Sequence, residues 1–185
     1  MKLGNAAGSG IVFLSPAKIP TVFRDYQYGA DEPLVRQLAE AANWTAAFEE
    51  LARPLHEALY KEQSFDLLDR LSPLEQLILS FDYVQMQIGQ GGFIQLFQNQ
   101  YAPLLVTVIE TTQQLDFSPD IRQTLDDALK VFVLNNESLG ATTTPEQFAR
   151  LYDEFREFEP LDSAFMEQAP RLMEEIVRYC SGVAA

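Results

Sequence analysis

Apolar residues recur at steps of three and four along most of the chain, and the densest run lies between Leu71 and Asn99. Ser72, Pro73 and Glu75 open it. A serine hydroxyl accepts from a free N–H of the first turn, proline at the first helical position loses nothing, and Glu75 closes a capping box. Leu74, Leu77, Ile78, Phe81, Val84 and Ile88 then form one stripe of a helix. Gly89, Gly91 and Gly92 end it, because glycine takes left-handed or crowded backbone at low cost. Phe93, Ile94, Leu96 and Phe97 resume an apolar face at once, so the pattern predicts a helix, a tight glycine corner and a second helix. Together they carry more hydrophobic surface than one helix pair can bury.

The same periodicity predicts the neighbours. Asp31 and Pro33 start a helix with Leu34, Leu38 and Ala41 on one face, and Trp44, Phe48, Leu51, Leu55, Leu59 and Tyr60 continue after Asn43. Pro54 inside that run predicts a kink or break near Leu51. Pro103 opens a helix over 104–115 with Leu105, Val108, Ile109 and Thr112 inward. Ser118-Pro119-Asp120 and Thr144-Pro145-Glu146 repeat the cap-plus-proline device of Ser72-Pro73. The first opens 121–134, with Leu125, Leu129, Phe132 and Val133 inward. The second opens 148–158, with Leu151, Tyr152 and Phe155 inward. After a corner at 158–161, a last helix runs from about Asp162 to Tyr179 on Phe165, Leu172, Ile176 and Tyr179, with a kink at Pro170. The expected fold is all-α, an irregular bundle of about seven or eight helices forming one domain over 31–185. Residues 1–30 read as an N-terminal extension, irregular or partly disordered, with short extended pieces at Ile11–Leu14 and Thr21–Phe23 between prolines.

Composition narrows the function classes. Apolar residues make up 47% of the 185 positions, enough for a real core, so the net charge of −14 does not signal disorder. The same charge disfavours direct binding of nucleic acid or of anionic membrane, which need clustered Lys and Arg. No run has the length of a membrane span, which makes a cytoplasmic protein the expectation. Acidity of this size serves solubility or meets a basic protein surface. Between Glu110 and Glu175 there are fifteen acids against five bases. Asp126, Asp127, Asp153, Glu154, Glu157, Glu159 and Asp162 form the candidate partner-binding face. Asp153 and Glu157 at i, i+4 would repel one another on one helix face.

Little else points to chemistry. His56 is the single histidine, which leaves no two-histidine metal site, and position 53 is Arg rather than the Glu a di-iron Glu-x-x-His pair needs. Cys180 is the single cysteine and reads as a small hydrophobe. Gly89-Gln90-Gly91-Gly92 follows a helix rather than a strand, and no Lys or Arg occurs from Leu71 to Ile121, against a phosphate loop. No catalytic residue, metal ligand or cofactor site is expected, and the chain reads as non-enzymatic.

Gln87-Ile88-Gly89-Gln90-Gly91-Gly92-Phe93-Ile94-Gln95-Leu96-Phe97-Gln98-Asn99 resembles the signature of a bacterial all-helical family once catalogued only as a domain of unknown function, whose best-known member is a DNA mimic. Gly91, Gly92, Phe93, Gln95, Phe97 and Asn99 match that signature. Gln87 stands where the family often has Glu, Gln90 where Asn is usual, and Leu96 where an aromatic is common. The resemblance implies a dimeric acidic protein whose carboxylates imitate DNA phosphates on the basic face of a DNA-binding protein. Two other readings stay open beside it: a helical module that binds a copy of itself through an apolar face, and an enzyme using two converging carboxylates.

Overall fold

The computed structural model describes residues 25–183. Among the described residues eight α-helices and one 3-10 helix follow one another, with no strand. They are α1 Glu32–Glu40, α2 Trp44–Glu62, the 3-10 helix Phe65–Arg70, α3 Pro73–Gln98, α4 Ala102–Gln114, α5 Pro119–Leu134, the one-turn α6 Asn136–Leu139, α7 Pro145–Glu154 and α8 Phe158–Ser181. The all-α class is therefore as expected from the pattern. The readings of residues 1–24 lie outside the described residues.

Helix α3 is the centre. Its stripe Leu74, Leu77, Ile78, Phe81, Val84 and Ile88 is buried, and Leu79 and Ser80 on the other side are buried too. A helix apolar nearly all round must be enclosed, and α2, α4 and α8 pack around this one. The capping box at its start is complete: Glu75 N donates to Ser72 Oγ at 3.3 Å and Ser72 N donates to Glu75 Oε2 at 2.9 Å. Glu75 is buried because its other oxygen accepts from Gln27 N, tying the segment before α1 to the core.

Several local expectations give way to tertiary packing. Helix α2 runs unbroken through Pro54. Proline removes one intrahelical N–H, but Leu51 and Leu55 are both fully buried and hold the two turns together, and Tyr26 Oη donates to Leu51 O at 2.7 Å beside the weakened turn. Pro170, where a kink is expected, lies inside the continuous helix α8. That helix begins at Phe158, so residues 158–161 are its first turn rather than a corner. Pro160 sits where an N–H would have no partner anyway. The real corner is Phe155–Glu157, where the chain leaves α7 so that Phe155 and Phe158 are both buried. On α1 the buried face is Val35 and Ala39 rather than Leu34 and Ala41. Val133 and Tyr60, expected inward, are exposed, and Tyr152 and Tyr179 are partly so.

The three cap-plus-proline signals also differ. Thr144 and Gln147 form a second complete capping box. Ser118 makes no cap bond; its N and Oγ both donate to Glu175 Oε2, at 2.9 and 2.5 Å. A carboxylate on α8 outcompetes the helix start because charge-assisted bonds are the stronger ones. That bond, Asp120 with Arg171 at 3.7 Å, and Thr124 with Gln168 at 2.9 Å show α5 and α8 antiparallel.

Candidate interaction surface and the glycine corner

Residues 87–99 build a bend between two half-helices of α3. Gly91 has φ −163°, ψ 28° and Gly92 has φ 67°, ψ −172°. The Gly92 conformation is essentially closed to any residue with a Cβ. The corner restarts the helix at Phe93, whose free N–H donates to Asp162 Oδ1 at 2.8 Å. Tyr152 Oη donates to Gly91 O at 2.7 Å, so α7 and α8 both grip the bend. On its outer side Gln95 Nε2 donates to Gln90 Oε1 at 3.0 Å, and Asn99 Nδ2 donates to Gln87 Oε1 at 2.6 Å. On the inner side Phe93 and Phe97 are buried, Phe97 stacking on Phe132 at 4.3 Å and Phe93 lying 6.0 Å from Phe158 and Phe165. These residues make one corner: Gly91 and Gly92 turn it, Phe93 and Phe97 anchor it, and Gln95 and Asn99 close its polar side.

The acidic candidates divide into three groups. Asp153, Glu154, Glu157 and Glu159 are all exposed and flank the corner between α7 and α8. Helix α7 ends at Glu154, so Asp153 and Glu157 do not share a helix face and the expected i, i+4 repulsion is absent. Only Arg156 lies among them, 3.9 Å from Glu159. Asp126 and Asp127 stand on α5, each 2.9 Å from Lys130. Hydrogen bonds from Lys130 and then Gln123 hold Asp127 below the usual carboxylate range. The antiparallel register sets them beside the Phe165 turn of α8, with Glu159 about six residues nearer its start, roughly 9 Å along the axis. Asp162 belongs to neither group. It is half-buried against the glycine corner, and desolvation pushes its pKa up despite the Phe93 N–H and with help from Glu159.

The single histidine and the single cysteine lie away from the corner. His56 Nε2 lies 2.5 Å from Asp82 Oδ2, with its ring 5.1 Å from that of Tyr83. Cys180 is fully buried, and burial pushes its thiol up to about 12. No group of three or more His, Cys, Asp or Glu side chains among the described residues is placed to hold a metal ion. No helix among them is long and apolar enough to cross a membrane.

A family model described as DMP19-like protein matches residues 69–182, well over half of the chain. The chain belongs to the DMP19-like family. Its matched span runs from the end of the 3-10 helix to the end of α8 and takes in the glycine corner and every acidic candidate. Neither the curated proteins nor the solved structures give a match.

Sequence reasoning missed the partners of the corner. Asp162 stands 69 residues from Phe93 and Tyr152 stands 61 from Gly91, and no local pattern pairs residues so far apart.

Proposed function

We propose that this DMP19-like chain is a non-enzymatic interaction protein whose carboxylates occupy the basic, DNA-binding face of a partner protein. The observation that carries the reading is the exposed corner Asp153–Glu159. It offers four carboxylates within seven residues of a chain of net charge −14, with Arg156 the single base among them. Family membership supports it, since the signature resembles the family typified by a DNA mimic. The non-enzymatic part of the reading is supported by the burial of Cys180, which lies out of reach of a substrate. Immobilised protein, exposed to lysate, should retain a DNA-binding protein at low salt and release it as salt rises, because exposed charges are screened over about 8–10 Å. Neutralising the corner by Asp153→Asn, Glu154→Gln, Glu157→Gln and Glu159→Gln should slow association more than it changes stability. Retention unchanged by salt and by these substitutions would refute the reading.

One observation favours self-association beside it. Leu134 is 82% exposed and Val133 60% exposed at the end of α5, next to a shallow apolar hollow of about 380 Å³ lined with Leu129. A homodimer through this patch would present two acidic corners at once. Light scattering of wild type and Leu134→Lys decides it: a dimer that becomes a monomer supports the patch, and an unchanged mass excludes it.

A further inference from the structure

A second surface carries features that neither the acidic corner nor the glycine corner explains. Phe65 of the 3-10 helix, Tyr83 of α3 and Tyr101 before α4 form a triangle of rings, with centroids 5.3 Å apart for Phe65–Tyr83, 6.2 Å for Phe65–Tyr101 and 5.9 Å for Tyr83–Tyr101. Two hollows meet at Phe65. One, of about 620 Å³, is lined by Asp66, Asp69, Tyr101 and Glu110; the other, of about 400 Å³, by His56, Tyr60 and Tyr83. Tyr60 is 80% exposed at its edge.

Tyr83 and Tyr101 are half-buried against the core, while Phe65 and Tyr60 stay exposed beside them; exposed ring faces with carboxylates at their rim suit a ligand that satisfies both. Asp66, Asp69 and Glu110 are exposed, and no cation pairs with any of them among the described residues. No Lys or Arg occurs between Arg70 and Arg122, so the chain brings no positive charge of its own from α3 or α4. Arg70, the nearest in sequence, is paired with Glu62. A guanidinium group fits both demands: its flat face stacks on a ring, its edge donates two parallel bonds to a carboxylate, and it sheds water more readily than an ammonium. The fold already holds one arginine this way. Arg178 lies 4.6 Å over the Trp44 ring while its Nε donates to Glu174 at 2.8 Å.

We propose that the Phe65–Tyr83–Tyr101 groove, rimmed by Asp66, Asp69 and Glu110, is an interaction surface that takes arginine side chains from a basic segment of a partner protein. The inference takes from the preceding reading only that the partner is basic. It shares no residue with the Asp153–Glu159 corner and does not require DNA mimicry.

The test titrates the full chain with a blocked peptide of alternating Arg and Gly, and with its Lys counterpart, following the ring resonances of Phe65, Tyr83 and Tyr101. The Arg peptide should move those resonances and bind about fivefold or more tightly than the Lys peptide. Asp66→Asn, Asp69→Asn and Glu110→Gln together should weaken it about tenfold at an unchanged melting temperature, since all three groups are exposed. Tyr101→Leu should weaken it as well; if that variant is misfolded, the carboxylate variant decides alone. Neutralising Asp153, Glu154 and Glu157 should leave the ring shifts in place. Equal binding of the two peptides, unmoved rings, or shifts lost only in the corner variant would overturn the proposal. So would rings that move with protein concentration alone, which would make a second copy the occupant. Such a failure leaves competition with duplex DNA, which reads the acidic corner, to stand or fall separately.

Discussion

Replacing Gly92 by alanine should be among the most damaging single-methyl additions in this fold. A Cβ built there would lie 2.4 Å from Asp162 Oδ2 and 2.8 Å from its Cγ, with φ at +67°. Two costs combine. Holding a residue with a Cβ at φ 67°, ψ −172° costs on the order of 1–3 kcal/mol. Pushing the Asp162 carboxylate aside forfeits its bond to Phe93 N, worth about 1.5–3 kcal/mol for a charged acceptor. The sum is roughly 2.5–5 kcal/mol, the upper end trimmed because the two terms share one relaxation. At about 2–4 °C per kcal/mol for a domain of this size, the melting temperature should fall by roughly 5–20 °C. Circular dichroism at increasing temperature measures the shift, and urea midpoints give the free energy. Gly89→Ala is the control: it is helical, meets nothing within 4 Å, and should be neutral or up to about 1 kcal/mol stabilising. A Gly92→Ala protein melting within about 2 °C of wild type would refute the account of the corner.

Three further outcomes follow from the same geometry. Glu75→Ala should cost roughly 2–4 kcal/mol by urea unfolding, because its buried carboxylate is the partner of both Ser72 N and Gln27 N. Asp162→Asn should keep the acceptor for Phe93 N and change the pH profile. With its folded pKa raised by desolvation, wild-type Asp162 stabilises fully below its unfolded pKa near 3.8 and loses that contribution as pH rises through the folded value. Wild type should therefore lose stability relative to Asp162→Asn as pH rises above about 4, and parallel curves would contradict this. Native Cys180, with a thiol near 12, should react with a maleimide about a thousandfold or more slowly than in urea at pH 7; rapid native labelling would show that the end of α8 opens.

The fold was legible wherever one local signal acted without a rival. Ser72 with Glu75 and Thr144 with Gln147 are spaced for capping boxes and form them, and the six-residue stripe of α3 is buried in full. Two of the misreadings share one cause, a tertiary partner overriding a local preference. Ser118 looks like a cap but turns to Glu175, 57 residues away. Pro54 looks like a helix break, yet the buried Leu51 and Leu55 carry α2 through it. Of the candidate surface, the acidity of residues 153–159 was readable, but not that Phe155 leaves the helix and splits Asp153 from Glu157. Asp162 was read as one more surface acid. Its role depends on Gly92 and Phe93, which only folding brings to it.

The central claim is that the acidic corner stands in for DNA on a DNA-binding partner. It is tested most directly by loading such a partner, captured from the host, onto this protein and titrating in duplex DNA. The account predicts mutual displacement: DNA releases the partner, added protein strips the partner from DNA, and both effects are lost when Asp153, Glu154, Glu157 and Glu159 are neutralised. A stable ternary complex, with DNA and this protein bound to the partner together, would contradict it.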